Sequence, residues 1–171
     1  MKIILIGYRA SGKTSAGRLL SLILKVPFYD TDHVIEEKTG EPVKNIITHR
    51  GWDYFRERET DALRTLIGKK NCVVATGGGI VLKKENVDLI KKMGKVIWLD
   101  APLHDIIDRL HEDAQEGQSR PQFTDGDLEK EIADVLKERT PLYKQTADFT
   151  VKTKGKSAAQ VAEEIYKLVR K

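Results

Sequence analysis

Two stretches of this chain hold residue types that phosphate chemistry uses. Gly7 to Thr14 reads GYRASGKT, the pattern Gly-x4-Gly-Lys-Ser/Thr of a phosphate-binding loop. Such a loop turns the backbone N–H groups of Ala10, Ser11, Gly12, Lys13 and Thr14 toward one point and makes an anion cradle. A helix starting near Lys13 adds the positive end of its dipole, and Ser15 in its first turn belongs to the same nucleotide contacts. Gly7 and Gly12 permit backbone angles and close approaches that a Cβ would block. Lys13 has the reach for β- and γ-phosphates, and the Thr14 hydroxyl suits Mg²⁺. ATP and a divalent cation are the ligands this loop calls for.

The second stretch is PFYDTDHVI, Pro27 to Ile35. Asp30 and Asp32 flank one threonine, and carboxylates so close repel unless a cation or proton donor stands between them. Magnesium bound to ATP would serve one of them, and the hydroxyl of an acceptor substrate the other. The competing reading makes Asp32 a helix cap ahead of HVIEEK.

Further along, Ala75 to Gly79 reads ATGGG. Three glycines in a row are costly to order. At the end of a strand they can form a bare backbone ledge against which a small polar ligand lies. Arg56 and Arg58 in YFRERE offer one guanidinium for a carboxylate while the other stays solvated. Arg120 and Arg139 are further candidate cations, Arg120 as one that closes over a transferring phosphate. His33, His49, His104 and His111 show no metal-ligand spacing.

These groups need a frame that brings them to one rim. Short apolar runs at 3–7, 26–30, 72–79, 95–100 and 148–153 predict strands, the first four buried on both faces. Helical periodicity marks 13–25, 53–67 and 84–93. A last helix is signalled by Ser157 with Gln160 three residues on. Alternation of this kind predicts a parallel sheet covered by helices on both faces, with ligands at the carboxyl ends of its strands. The polar stretch 111–127, with Gly117, Pro121 and Gly126, predicts a lid or an irregular segment.

The 171 residues suit one domain. No apolar run nears the ~20 residues of a membrane span, and MKIILIG is too short for a secretory signal. One cysteine, Cys72, fits core packing and a reducing compartment, so a cytoplasmic location is expected. The net charge of +4 is spread along the chain, which argues against a nucleic-acid partner.

Taken in order, GYRASGKT, FYDTD, FRERE, ATGGG, the RP of residues 120–121 and ERTPLY resemble the shikimate kinases over nearly the whole chain. The resemblance implies transfer of the ATP γ-phosphate to the 3-hydroxyl of shikimate, with Mg²⁺, by a monomer. It implies a P-loop α/β/α fold with a five-stranded parallel sheet, a substrate-binding region at about 32–60 and a lid at about 111–126. It assigns Asp32 to the shikimate hydroxyls, and Asp30, with Thr14, to the metal. Arg56 and Arg139 fall to the shikimate carboxylate, and Gly78 with Gly79 to backbone contacts. Glu59 joins the substrate-side network. Lys13 and Arg120 are assigned to charge on the transferring group, Arg120 from the lid over ATP.

Three positions depart from the family's usual pattern. Ala10 stands where glycine is common, RPQF replaces RPLL, and the adenine segment near 153–156 matches weakly. Two alternatives stay open: another small-molecule kinase, of the gluconate or nucleoside monophosphate type, and a nucleotide-binding module that hydrolyses ATP slowly.

Overall fold

The computed structural model describes residues 1–115 and 127–170. Five strands are present among them: β1 (Lys2–Ile6), β2 (Phe28–Asp30), β3 (Cys72–Ala75), β4 (Lys95–Asp100) and β5 (Phe149–Lys152). They form one sheet in the order β2-β3-β1-β4-β5, and every neighbouring pair is parallel. The expected parallel sheet is therefore what forms. Its chain first moves from β1 out to β2 and back to β3, then crosses to β4 on the other side of β1. The crevice between the ends of β1 and β3 is thus the topological switch point, where such sheets bind ligands.

Burial explains why the strands read as apolar throughout. Alternate residues of β1 face opposite sides. Ile4 and Ile6 join Val74, Val96 and Trp98 in one core, and Ile3 and Leu5 join Val73, Ile97, Leu99 and Val151 in the other. The second core is closed by α1 (Lys13–Leu24) and α7 (Ala158–Val169) through Ala16, Leu20, Val161 and Ile165. Over the first lie α3 (Val43–Ile67) and α4 (Lys84–Met93), with Leu63, Leu66 and Ile90. A smaller cluster of Tyr8, Ile106, Leu110 and Ile132 lies under α5 (Leu103–Gln115) and α6 (Leu128–Thr146).

The Ser157–Gln160 capping box forms as expected: Gln160 N donates to Ser157 Oγ at 3.2 Å and Ser157 N to Gln160 Oε1 at 2.8 Å. Other boundaries differ. The strand expected over 72–79 ends at Ala75 and gives way to a turn and a short 3-10 helix, Ile80–Leu82, because the glycines leave the ladder. The helix expected from 53 begins ten residues earlier, at Val43. It is broken at Gly51, whose φ of 81° is left-handed, and the Glu36 carboxylate accepts Val43 N at its start. Residues 111–115, expected within the irregular stretch, are the last turn of α5. Arg120 and the RPQF segment lie outside the described residues. No described helix is long and apolar enough to cross a membrane.

Candidate active site

The loop after β1 is shaped by three left-handed or extended turns. Gly7 has φ 142°, and a Cβ there would lie 2.7 Å from the Leu99 carbonyl. Gly12 has φ 90°. Ala10 also lies in the left-handed region, at φ 59°, a conformation that costs an L-residue roughly 1–2 kcal/mol. The strain lies in the loop that the sequence marks for phosphate, where such costs collect. Lys13 is buried, and its Nζ donates to Gly7 O at 2.9 Å and to Tyr8 O at 2.6 Å, so the ammonium is fixed inside the loop.

Asp30, not Asp32, caps the helix that follows β2. Asp30 Oδ1 accepts Asp32 N at 3.0 Å, and helix α2 runs Thr31–Thr39. The other Asp30 oxygen, Oδ2, accepts the Thr14 hydroxyl at 2.8 Å. Burial first, and then the charge of Asp32, push the Asp30 carboxyl above its ordinary value. A carboxylate in that position gains from a nearby cation. Thr14 Oγ1 and Asp30 give two hard oxygen donors on one wall, which suits Mg²⁺ because that ion keeps waters and phosphate oxygens as its remaining ligands. The absence of a cluster of three acidic, histidine or cysteine ligands among the described residues is compatible with such a site.

The cap belongs to Asp30, and Asp32 lines the adjoining cavity. That cavity holds about 310 Å³ and is lined by Lys13, Thr14, Asp30 and Asp32, with Gly77 and Gly78 on its floor. The third strand's glycines therefore reach the rim occupied by the phosphate loop. Gly77 N donates to Thr31 Oγ1 at 3.0 Å. A Cβ at Gly78 would lie 3.0 Å from Arg9 N, so the two loops pack backbone to backbone.

Beside this cavity stands a second recess, lined by Tyr8, Arg9, Trp52, Arg56, Gly78, Gly79 and Arg139. Arg56 pairs with Glu59 at 2.5 Å, and Glu59 is fully buried. The guanidinium lies against Gly79 so closely that a side chain there would occupy its place. Arg139 is buried over the Tyr8 ring, 5.9 Å from its centroid. Arg58, in contrast, pairs with Asp61 at 3.2 Å on the outer side of α3. Asp32, Arg56, Glu59, Gly78, Gly79 and Arg139 thus meet the phosphate loop at one end of the sheet. A larger cavity, about 530 Å³, lies between α2 and α3, but its arginines are engaged with Glu41, Asp61 and Glu85.

Three residues at this rim escaped sequence reasoning. Arg9 enters both recesses and faces Glu131 at 3.8 Å. Arg109 donates to Ala10 O at 2.8 Å and, with Thr153 and Lys156, lines a cavity of about 200 Å³ beside Gly12 and Ser15. Its signal was a basic residue beside the buried positions Ile106 and Leu110 of α5. Tyr143 donates its hydroxyl to Gly78 O. Its position four residues after Arg139 on one helix could have pointed to it.

A family model described as shikimate kinase matches residues 9–170. The shikimate kinase of Syntrophus aciditrophicus is 39% identical over 171 residues, 95% of this chain and 88% of that one. That of Moorella thermoacetica is 42% identical over 163 residues, 95% and 91% of the two chains. Among solved structures, shikimate kinase from Acinetobacter baumannii in complex with shikimate superposes with a TM-score of 0.92 at 36% identity, covering 99% and 92%. An APS kinase from Mycobacterium tuberculosis, at 17% identity and TM-score 0.59, shares the fold.

Proposed function

The chain belongs to the shikimate kinase family, and on that premise we propose how its own residues carry the family's reaction, the ATP-dependent phosphorylation of shikimate. One observation supports the assignment most. A single cavity is lined by Lys13 and Thr14 and also by Asp32, Gly77 and Gly78, so donor phosphate and acceptor alcohol would meet inside it.

Phosphoryl transfer asks for position and charge balance more than for covalent chemistry. The N–H groups from Ala10 to Thr14, with Ser15 behind them, would cradle the ATP phosphates, and Lys13 would offset charge on the transferring group. Thr14 and Asp30 would hold the magnesium ion, which when bound neutralises charge on the β- and γ-phosphates. Asp32 would orient the attacking 3-hydroxyl and take its proton. Arg56, held by Glu59, and Arg139 would bind the shikimate carboxylate from two sides, and the N–H groups of Gly78 and Gly79 would meet the ring substituents. Arg120, in the lid that the family resemblance implies, would close over ATP. Residues 32–60, with Asp32 at one end and Glu59 at the other, form the substrate-binding region of this reading. Every group comes from one chain, so a monomer suffices, and the single thiol of Cys72 suits the cytoplasm.

The test is coupled detection of ADP with shikimate, gluconate or AMP as the only acceptor. Turnover with shikimate alone, lost in Asp32→Ala while ATP still binds, is the expected result. Turnover with AMP or gluconate instead, or near-normal kcat in Asp32→Ala, would refute the assignment.

A further inference from the structure

Three successive glycines do not hold a shape by themselves. The ledge Gly77–Gly79 therefore needs outside partners, and two of its carbonyls find local ones. Gly77 O accepts Ile80 N at 3.2 Å and Gly79 O accepts Leu82 N at 3.0 Å. The middle carbonyl, of Gly78, is taken from elsewhere: it accepts the hydroxyl of Tyr143 on α6. Among the described residues, the N–H groups of Gly78 and Gly79 donate to no protein partner.

A trans peptide is planar, and its C=O and N–H point opposite ways. Fixing Gly78 O on the Tyr143 hydroxyl thus fixes the Gly79 N–H in the opposite direction. We propose that Tyr143 is a positioning residue for the acceptor substrate: its hydroxyl sets the Gly78–Gly79 peptide so that the Gly79 N–H is presented to shikimate. This rests on the reading of the ledge as a substrate surface.

The surroundings suit the task. Tyr143 is buried, and its ring stacks on Trp98 with centroids 5.9 Å apart and planes 24° apart, so the hydroxyl has little room to swing. Burial raises its ionisation far above the ordinary tyrosine value, which keeps the hydroxyl protonated and able to donate. One turn earlier on the same helix is Arg139, which lines the recess with Gly78 and Gly79. A single helix face therefore delivers both a carboxylate clamp and the stay of the ledge.

The experiment is Tyr143→Phe, which keeps the stacked ring and removes one oxygen, combined with amide NMR of the glycines. The KM for shikimate should rise about tenfold, the loss of one well-placed hydrogen bond, with kcat and the KM for ATP within about twofold. The Gly79 amide resonance of the variant should broaden or split, reporting more than one peptide orientation. A role in stability alone would lower Tm without this selective KM change. An unchanged shikimate KM with an unchanged Gly79 resonance overturns the inference. Failure of the underlying reading shows separately: in the wild type, shikimate would then leave the Gly78 and Gly79 amides unmoved.

Discussion

Replacing Gly79 by alanine tests the substrate side of the site with one methyl group. The backbone at Gly79, φ −97° and ψ 6°, is open to any L-residue, so the substitution adds no conformational strain. Alanine would even stabilise by about 0.4–1 kcal/mol through the unfolded chain. The steric effect runs the other way. The new Cβ would fall on the Arg56 guanidinium, which is paired with Glu59 at 2.5 Å and is only 15% exposed. Arg56 must shift, and Glu59, fully buried, loses this ion pair. Breaking a buried ion pair costs about 3–5 kcal/mol, and Arg56 at a recess wall can recover part of this from water. We expect a net loss of about 1–3 kcal/mol in stability, within the range of buried ion-pair disruption. A charge-assisted hydrogen bond to the shikimate carboxylate is worth about 1.5–3 kcal/mol, so its loss raises the KM for shikimate by roughly 10- to 150-fold. The ATP site is built from Lys13, Thr14 and the loop backbone, and its KM should stay within about twofold. Steady-state kinetics with shikimate varied at saturating ATP and magnesium, beside thermal unfolding, would measure both. A shikimate KM within threefold of wild type, with unchanged Tm, would refute the placement of Arg56 on the ledge.

Three further substitutions probe other parts of the site and fold. Asp30→Asn keeps a competent helix cap but removes the charge that opposes Asp32. Because the folded-state value of Asp30 is raised, its ionised form costs stability once pH exceeds that value, and the cost fades as pH falls toward the ordinary carboxylate range. The Tm of Asp30→Asn relative to wild type should therefore rise with pH from about 4 and level off once pH passes the raised folded-state value, and its magnesium requirement should increase; a pH-independent offset contradicts this. Ala10→Gly relieves a left-handed alanine worth roughly 1–2 kcal/mol and gives back about 0.4–1 kcal/mol of chain entropy. Its Tm should increase by about 2–3 °C, and a decrease would show that the loop is not strained. Lys2→Met removes the buried ammonium that donates to Leu66 O at 2.8 Å and Ile67 O at 2.9 Å at the end of α3. Urea denaturation should show a loss of about 2–3 kcal/mol, with unchanged turnover at 25 °C.

Sequence made legible what depends on local chemistry. The phosphate loop was readable because its function requires glycines, a lysine and a hydroxyl at fixed spacing between strand and helix. The strands were readable because burial on both faces removes polar residues from them, as Ile3 to Ile6 show. The site residues were named from motifs, and Lys13, Thr14, Asp30, Asp32, Arg56, Gly78, Gly79 and Arg139 line two adjoining recesses. What stayed hidden depends on distant partners. Asp30 and Asp32 were both recognised, but which of them caps α2 turns on where β2 ends, and Asp30 closes that strand in register with Ala75 of β3. The start of α3 at Val43 follows Pro42 and a cap from Glu36, and neither announces itself as periodicity.

Tyr143 shows the same limit at longer range and gives it a functional meaning. Nothing within a few residues of ATGGG could tell which way its peptides face, because the deciding donor is 65 positions away. Yet the donor is not placed at random: Arg139 and Tyr143 sit one turn apart on α6, and Glu131, nearer its start, faces Arg9 of the phosphate loop at 3.8 Å. One helix therefore touches the cradle, the ledge and the proposed carboxylate clamp. A rotation of α6 would move all three together, so donor and acceptor halves of the site share one mechanical support. That coupling predicts that ATP and shikimate report on each other's binding, and Tyr143→Phe should weaken the cooperation from the shikimate side while leaving the cradle intact.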